Sequence, residues 1–457
     1  VNDAGDRVPP AQVADTHAGA VPGQQGADRN PVDQKPADQK AAEQKLTGQK
    51  LTGQKLTGQK LNFALVCVFI DMLGVGLIVP VLPALVGEFV GSREQQAMWY
   101  GILGAVFGLM QFLCMPALGA VSDRIGRRPV LLYSMGGMAL NFLVTAWAPN
   151  LAWLLVGRVI GGMSSASMSV ASAYASDVST PENRANSFGK IGAAFGMGFI
   201  AGPMLGGLLG GVNLHLPFYV AAGLSAANLL YGWFFLPESL PVERRAPFAL
   251  HRLNPLGGLF RLAARREIRG LVVVFVLVTF AQIMLHTTWV LYTTFRFGWS
   301  TTQNGISLFC VGVASVVVQA GLLGLFMKRF GEVRLSLLGL CSGALTYLLY
   351  GLATHGWMMY VLILCNVFAF AAGPALQGIL SKATPPTEQG ELMGSLQSIS
   401  GVAVAVMPLA GGWLLGEVSH LPPADWRIGA TFFVSAAMQA LAIFVAWRWF
   451  RDHHRPV

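Results

Sequence analysis

The sequence runs to 457 residues, 54% of them hydrophobic and only 12% charged, with a mean hydropathy of +0.54. Soluble domains carry about 25% charged residues, so composition excludes a soluble enzyme and points to a chain that lies mostly in lipid. The net charge of +9 does not signal a nucleic-acid partner, because lysines and arginines gather in alternate loops, as membrane orientation requires.

Residues 1–60 form a polar tail in which Gln-Lys recurs from Gln34-Lys35 to Gln59-Lys60. Such a segment buries too little apolar surface to offset the entropy of folding, and it lacks a signal-peptide core. A disordered cytoplasmic tether is expected. Apolar runs of ~20 residues then mark membrane spans. They fall at 61–86, 97–118, 130–148, 151–177, 187–211 and 216–237, and again at 270–293, 305–327, 333–354, 357–381, 392–416 and 427–450. The expected architecture is an all-α integral membrane protein. It has twelve transmembrane helices in two pseudo-symmetric six-helix bundles, 61–237 and 270–450. A basic linker, 238–269, joins the bundles, and residues 451–457 form a last tail. The turn at 119–129, the linker, the turn at 328–334 and the C-terminal tail are rich in arginine, whereas the opposite loops offer Arg93, Arg296 and Arg427. The basic side is therefore read as cytoplasmic, with both termini on it.

In the first span, Asp71 lies near the middle of FIDMLGVGLIVPVLP, and Gly74, Gly76, Pro80 and Pro83 after it permit bending. A carboxylate inside a bilayer is costly and marks a functional candidate; desolvation favours its protonated form. Between the second and third spans stands GAVSDRIGRRP, with Gly119, Asp123, Arg124, Gly126, Arg127 and Arg128, read as a tight cationic turn. Early in the fourth span, Arg158 stays protonated and needs a carboxylate or carbonyl partner, for which Asp71 and Asp177 are candidates; a purely structural arginine–carbonyl lock is the alternative. The fifth span carries Gly189, Gly198, Gly202, Pro203, Gly206 and Gly207. Glycines four apart make a groove for a neighbouring helix, and the proline kinks the rod.

A single offset of 205 residues relates the two halves. It carries Gly119, Arg124 and Gly126 onto Gly324, Arg329 and Gly331, with Lys328 in the place of Asp123. It also carries Pro181 onto Pro386, Gly189 onto Gly394, and Pro203, Gly206 and Gly207 onto Pro408, Gly411 and Gly412. Tandem membrane halves of this kind are a transporter architecture. The five cysteines, Cys67, Cys114, Cys310, Cys341 and Cys365, are scattered through apolar helices with no metal-ligand spacing. No P-loop or nucleophile motif is present, so no metal or cofactor is expected, and uphill transport would draw on an ion gradient.

From about Leu61 to Phe450 the chain resembles the major facilitator superfamily, most closely its drug:proton antiporters of the tetracycline-efflux type. GAVSDRIGRRP resembles the family's signature between helices two and three, GRVIGG around Arg158 its proton-transfer motif, and the Gly189-to-Gly207 pattern its antiporter motif. LPES at Leu236–Ser239, YGILGAVFGLMQFLCMPALGA, RFGWSTTQNGISL and GPALQGILS extend the likeness. The resemblance implies that Asp71 is the first-helix acid, Gln111 a polar residue near the drug path, and Asp123 with Arg127 a gating pair. The chain also departs from the pattern. Asn141 stands where the family's helix-three acid would be, Ser315 for a histidine, Gly343 for an acid, and Thr294 for a glutamate. Fewer membrane charges favour a lipophilic or weakly cationic substrate.

The expected function is proton-coupled efflux of a small amphipathic drug-like compound, by a monomer in the bacterial cytoplasmic membrane. Its partners would be that substrate, protons and the lipid bilayer, with no nucleic acid. Gln111, Asn141, Gln282, His286, Trp289, Gln319, Asn366 and Gln377 are the candidate lining groups, each with a helix–helix hydrogen bond as its alternative. His286 is a second candidate titrating group. The rival readings are a proton-coupled metabolite importer, a non-transporting receptor or scaffold and, more weakly, a membrane enzyme.

Overall fold

The computed structural model describes residues 60–180, 183–245, 268–385 and 388–453. The expected tail up to residue 59, linker residues 246–267, Pro181, Pro386 and residues 454–457 lie outside the described residues.

Among the described residues, ten helical runs are long and apolar enough to cross a membrane: Lys60–Gly87, Arg93–Ile125, Arg127–Ala146, Leu151–Val178, Asn186–Val212, Leu216–Phe235, Arg269–Phe297, Thr301–Leu352, Gln389–Val418 and Trp426–Asp452. The pair Gly356–Cys365 and Val367–Lys382, bent by 46°, makes one more crossing. The 52-residue run Thr301–Leu352 would be ~78 Å long as a straight rod at ~1.5 Å per residue, far more than a bilayer of about 30 Å. It is two spans, broken at Gly331, where φ is +70°. The count is therefore twelve.

Local chemistry explains where the rods begin and end. Ser92 caps the second span by accepting from the Gln95 amide, and Asn150 caps the fourth through the Ala152 and Trp153 amides. Ser300 and Gln303 form a reciprocal capping box at the start of the eighth. Capped ends let a helix leave the membrane without orphaned amides.

The structure corrects the sequence reading in three places. The turn expected over 119–129 is a break of one residue: the helix runs on to Ile125, Gly126 takes φ +112°, and helix resumes at Arg127. A positive φ is cheap only for glycine, which is why Gly126 and its counterpart Gly331 are the two hinge points. The turn expected at 328–334 contracts to Gly331 in the same way. Finally, the fourth and tenth spans are not continuous. The fourth breaks at Ser165–Ala166, between Leu151–Ser164 and Ser167–Val178, and the tenth breaks at Asn366.

The halves meet along two helix pairs, the second span on the eleventh and the fifth on the eighth. Both contacts are backbone-close at the end away from the basic turns. A Cβ on Gly207 would lie 3.0 Å from the Gly305 Cα, and one on Gly412 would lie 2.9 Å from the Gly101 Cα. Toward the basic end the same helices part. Cβ atoms on Gly119, Gly189, Gly192, Gly324, Gly390 or Gly394 would meet nothing within 4 Å. The structure is thus closed at the opposite end and open at the basic one.

Candidate transport site

The cavity has a volume of about 170 Å³ and lies at the closed end of the opening. Its wall is mostly apolar: Val75, Ile78, Val79 and Leu82 from the first span, Gly104 and Phe107 from the second, Met138 from the third, and Pro408 from the eleventh. Tyr100, Asn141, Arg158 and Thr287 supply the polar groups.

Arg158 is 5% exposed, and its guanidinium donates to the Asn141 Oδ1 at 3.1 Å while lying 5.7 Å from the centre of the Phe107 ring. The partner is a side-chain carbonyl, the alternative that the sequence left open, and not Asp71 or Asp177. Asp177 is engaged elsewhere, and among the described residues no carboxylate forms an ion pair with Arg158. A polar neighbour of like size, Asn141, occupies the place next to the arginine. The Arg158 Nε and the Asn141 Nδ2 have no hydrogen-bond partner among the described residues.

Asp71 is 3% exposed and its Oδ1 is likewise unpartnered among the described residues. It precedes the cavity-lining Val75 by four residues, one helical turn or ~6 Å toward the basic end. Ser167, at the break of the fourth span, is the polar group beside it. Gln111 sits one turn below Phe107 and donates to the Ser165 hydroxyl at 2.9 Å, at that same break. Asp71 and Gln111 thus each lie one turn from a lining residue, Val75 and Phe107, and neither lines the cavity itself.

The other candidates scatter. Trp289 is buried in an aromatic cluster with Tyr350 and Phe432 and donates to the Ser307 hydroxyl at 3.0 Å; it packs the second half and is absent from the cavity wall. Asn366 ties the broken tenth span to the ninth, accepting from Ser342 at 3.1 Å and Thr346 at 3.0 Å. Gln319 bonds locally to Ser315 in the π-helical turn Val317–Leu322. Gln282 and His286 lie four apart on the exposed face of the seventh span, and Gln377 is exposed on the tenth.

On the fifth span, Gly198, Gly202 and Gly206 receive the backbone of the first span at Phe69, Gly76 and Leu77. Pro203 and Gly207 face Gly305 of the eighth. Gly189 stands at the open end.

At the basic end Arg127 gathers its neighbours. It pairs with Asp123 at 2.5 Å and with Asp177 at 3.0 Å, and donates to the Ser122 hydroxyl at 2.7 Å. The Glu238 carboxylate accepts the Arg127 and Arg128 amides at 2.9 and 3.2 Å, capping the third span from the end of the sixth. Arg128 also donates to the Trp233 carbonyl, and Arg124 is exposed. Asp177 and Glu238 were not singled out for these roles from sequence. The 205-residue offset held a signal for the first, since it carries Arg127 onto Glu332 and Asp177 onto Lys382, and those two pair at 2.6 Å.

Twelve spans in tandem halves, hinged at matching glycines around a cavity shut at one end, define a membrane transporter. The chain belongs to the Major Facilitator Superfamily, whose model matches residues 64–383 and 321–457. Within it the chain is similar to tetracycline-efflux-type pumps. It is 39% identical to the class C tetracycline resistance protein of Escherichia coli over 82% of this chain and 93% of that one. It is 37% identical to the class G protein of Vibrio anguillarum over 78% and 94%. Among solved structures, the human organic anion transporter MFSD10 (TETRAN) superposes with a TM-score of 0.63 at 28% identity, covering 85% of this chain and 99% of that one. The nucleoside transporter NupG superposes with a TM-score of 0.69 at 14% identity, covering 86% and 99%, and speaks to the fold alone.

Proposed function

We propose that the chain is a proton-coupled exporter of small amphipathic compounds, working by alternating access in the bacterial cytoplasmic membrane. It acts as a monomer, with the basic end and both termini in the cytoplasm. The observation that carries this reading is the position of Asp71: a buried carboxylate with an unpartnered oxygen, one turn below the cavity and on the open side of it. In this form the cavity opens toward the cytoplasmic side, and Asp71, itself buried, lies one turn from it on that side. When the halves rock about the Gly101–Gly412 and Gly207–Gly305 crossings, the same acid is presented outward. A mid-membrane carboxylate is costly when charged, so each change of access shifts its balance between proton uptake and release. Arg158, held by Asn141, places a fixed positive charge in the wall of the cavity next to it. Likeness to the tetracycline resistance proteins supports an exporter of drug-like cargo.

The test is uptake into inverted vesicles, where export becomes accumulation. Wild-type protein is expected to concentrate tetracycline or another member of a drug panel when the lumen is acid. Asp71→Asn at matched abundance loses that accumulation by at least about tenfold while still equilibrating substrate downhill, because it fixes the protonated form. Undiminished accumulation by the variant would move proton coupling off Asp71. Accumulation only in right-side-out vesicles would make the protein an importer.

A further inference from the structure

We infer that the cavity takes the anionic end of its substrate, with Arg158 as the counter-charge and Asn141 as its neighbouring donor. The inference rests on the transport reading and names its substrate class: an amphipathic organic acid whose ring or chain enters the apolar part of the cavity.

The argument begins with charge balance. Arg158 is always protonated, is 5% exposed and lines the cavity, yet among the described residues no carboxylate pairs with it. A buried charge is tolerated where it is paired and hydrogen-bonded. Asn141 supplies one neutral acceptor, and the Phe107 ring face contributes a weak attraction to the cation. Neither cancels a full charge.

The geometry of the unmet donors adds a second argument. Accepting the arginine on Oδ1 leaves the Asn141 amide nitrogen as the free group, and it is fully buried with no partner among the described residues. The Arg158 Nε is in the same condition. Two N–H donors from adjacent spans, both side chains in one cavity wall, call for an acceptor, and a carboxylate or enolate oxygen is the acceptor that also neutralises the cation. Tyr100, the remaining polar aromatic in the wall, adds a hydroxyl.

Size and lining set the rest of the ligand. An apolar cavity of about 150 Å³ holds a benzene ring, and this one, at about 170 Å³, is lined chiefly by aliphatic side chains. The fit is one ring or short chain bearing the acid. The absence of family acids at Asn141, Gly343 and Thr294 favours a lipophilic or weakly cationic substrate from sequence; the orphaned arginine reverses that preference.

The test uses three ring compounds of nearly equal size that differ in charge: para-fluorobenzoate, para-fluorobenzamide and para-fluorobenzylamine. Binding to the full chain in detergent is followed by fluorine NMR at neutral pH. The benzoate is expected to bind about tenfold or more tighter than the amide, the scale of a charge-assisted over a neutral hydrogen bond, with the amine weakest. Arg158→Gln should erase the preference while leaving amide affinity within about threefold. Asn141→Asp keeps the arginine and gives it an internal carboxylate, and should erase the preference equally. A variant that loses the amide as well has lost its cavity, and the other variant then decides. Equal binding of benzoate and amide by the wild type, no binding of any of the three, or a preference that survives either substitution with amide binding intact overturns the inference. Selective benzoate binding alongside transport that ignores a pH gradient would overturn the proton-coupled reading and leave the inference standing.

Discussion

The two hinges at the basic end share one geometry and opposite charges. In the first half, Gly126 breaks the chain, and Arg127 reaches Asp177 at the end of the fourth span. In the second, Gly331 breaks the chain, and Glu332 reaches Lys382 at the end of the tenth. Asp123 becomes Lys328 by the same offset, so all three charged positions are inverted. Burial differs as well. The Arg127 side chain is 11% exposed and the Lys382 side chain 72%. The repeat thus preserves the positions of the hinge and its tie, while sign and depth vary. What fixes the sign in the first half is Glu238, whose carboxylate sits on the Arg127 amide; a glutamate at 127 would face three carboxylates. Among the described residues, the second-half break has no carboxylate accepting its amides.

The largest expected effect breaks the buried tie. Arg127→Ala leaves Asp123 and Asp177 without their shared cation, and a loss of about 2–3 kcal/mol of stability is expected for a partly buried network. Its unfolding midpoint in detergent should fall well below wild type, and proton-driven uptake should fall with it. Arg127→Glu paired with Asp177→Arg should fail to restore stability, because of Glu238. A full rescue by that double reversal would remove Glu238 from the explanation.

Next come the crossings. Gly412→Val or Gly207→Val places side-chain carbon against a facing helix backbone, so this access state is disfavoured. Cysteines placed at the basic end should then label about tenfold less in Gly412→Val than in wild type. Gly189→Val and Gly394→Val, in the open stretch, should leave labelling in this state unchanged.

The exposed tie ranks lower. Glu332→Gln should change stability by less than about 1 kcal/mol, the usual worth of a surface pair, and Glu332→Lys with Lys382→Glu should be indistinguishable from wild type. A loss comparable to that of Arg127→Ala would mean that the two ties are equivalent after all.

The smallest effect concerns the far end. The Arg427 side chain, hydrogen-bonded at 2.7–3.2 Å, holds the Asp425 carboxyl down at about 2. A depressed carboxylate contributes what stability it has above its unfolded value, near 3.8, and loses it as pH falls through about 2. Fluorescence of the neighbouring Trp426 should therefore stay flat from neutral pH to about pH 4. A transition near pH 4 would mean the pair does not form.

The chain's architecture was legible because apolar runs and the 205-residue offset are properties of sequence. Asp71, the glycine ladder of the fifth span and a basic turn between the second and third spans could be marked in advance for the same reason, though not that the turn narrows to Gly126. Pairings could not. Nothing local says that Arg158 meets Asn141, which lies in the preceding span, or that Glu238 caps a helix beginning 111 residues earlier. Such contacts come from how spans rotate about their axes, and hydropathy is nearly blind to rotation. The breaks at Ser165–Ala166 and Asn366 were missed for a related reason. Small and polar residues inside a long apolar run do not interrupt its average, though they free the backbone to turn.

The crossings at Gly207 and Gly412 also set a mechanical ratio. Each lies near one tip of its rod, with about 20 residues between it and the basic end, an arm of roughly 30 Å at ~1.5 Å per residue. A rotation of about 10° at such a fulcrum sweeps the far tip through roughly 5 Å, while backbones at the fulcrum slide by only a fraction of an ångström. Two glycine bearings, each too tight to admit a methyl group, thereby convert a movement smaller than a bond length into an aperture wide enough for a ring.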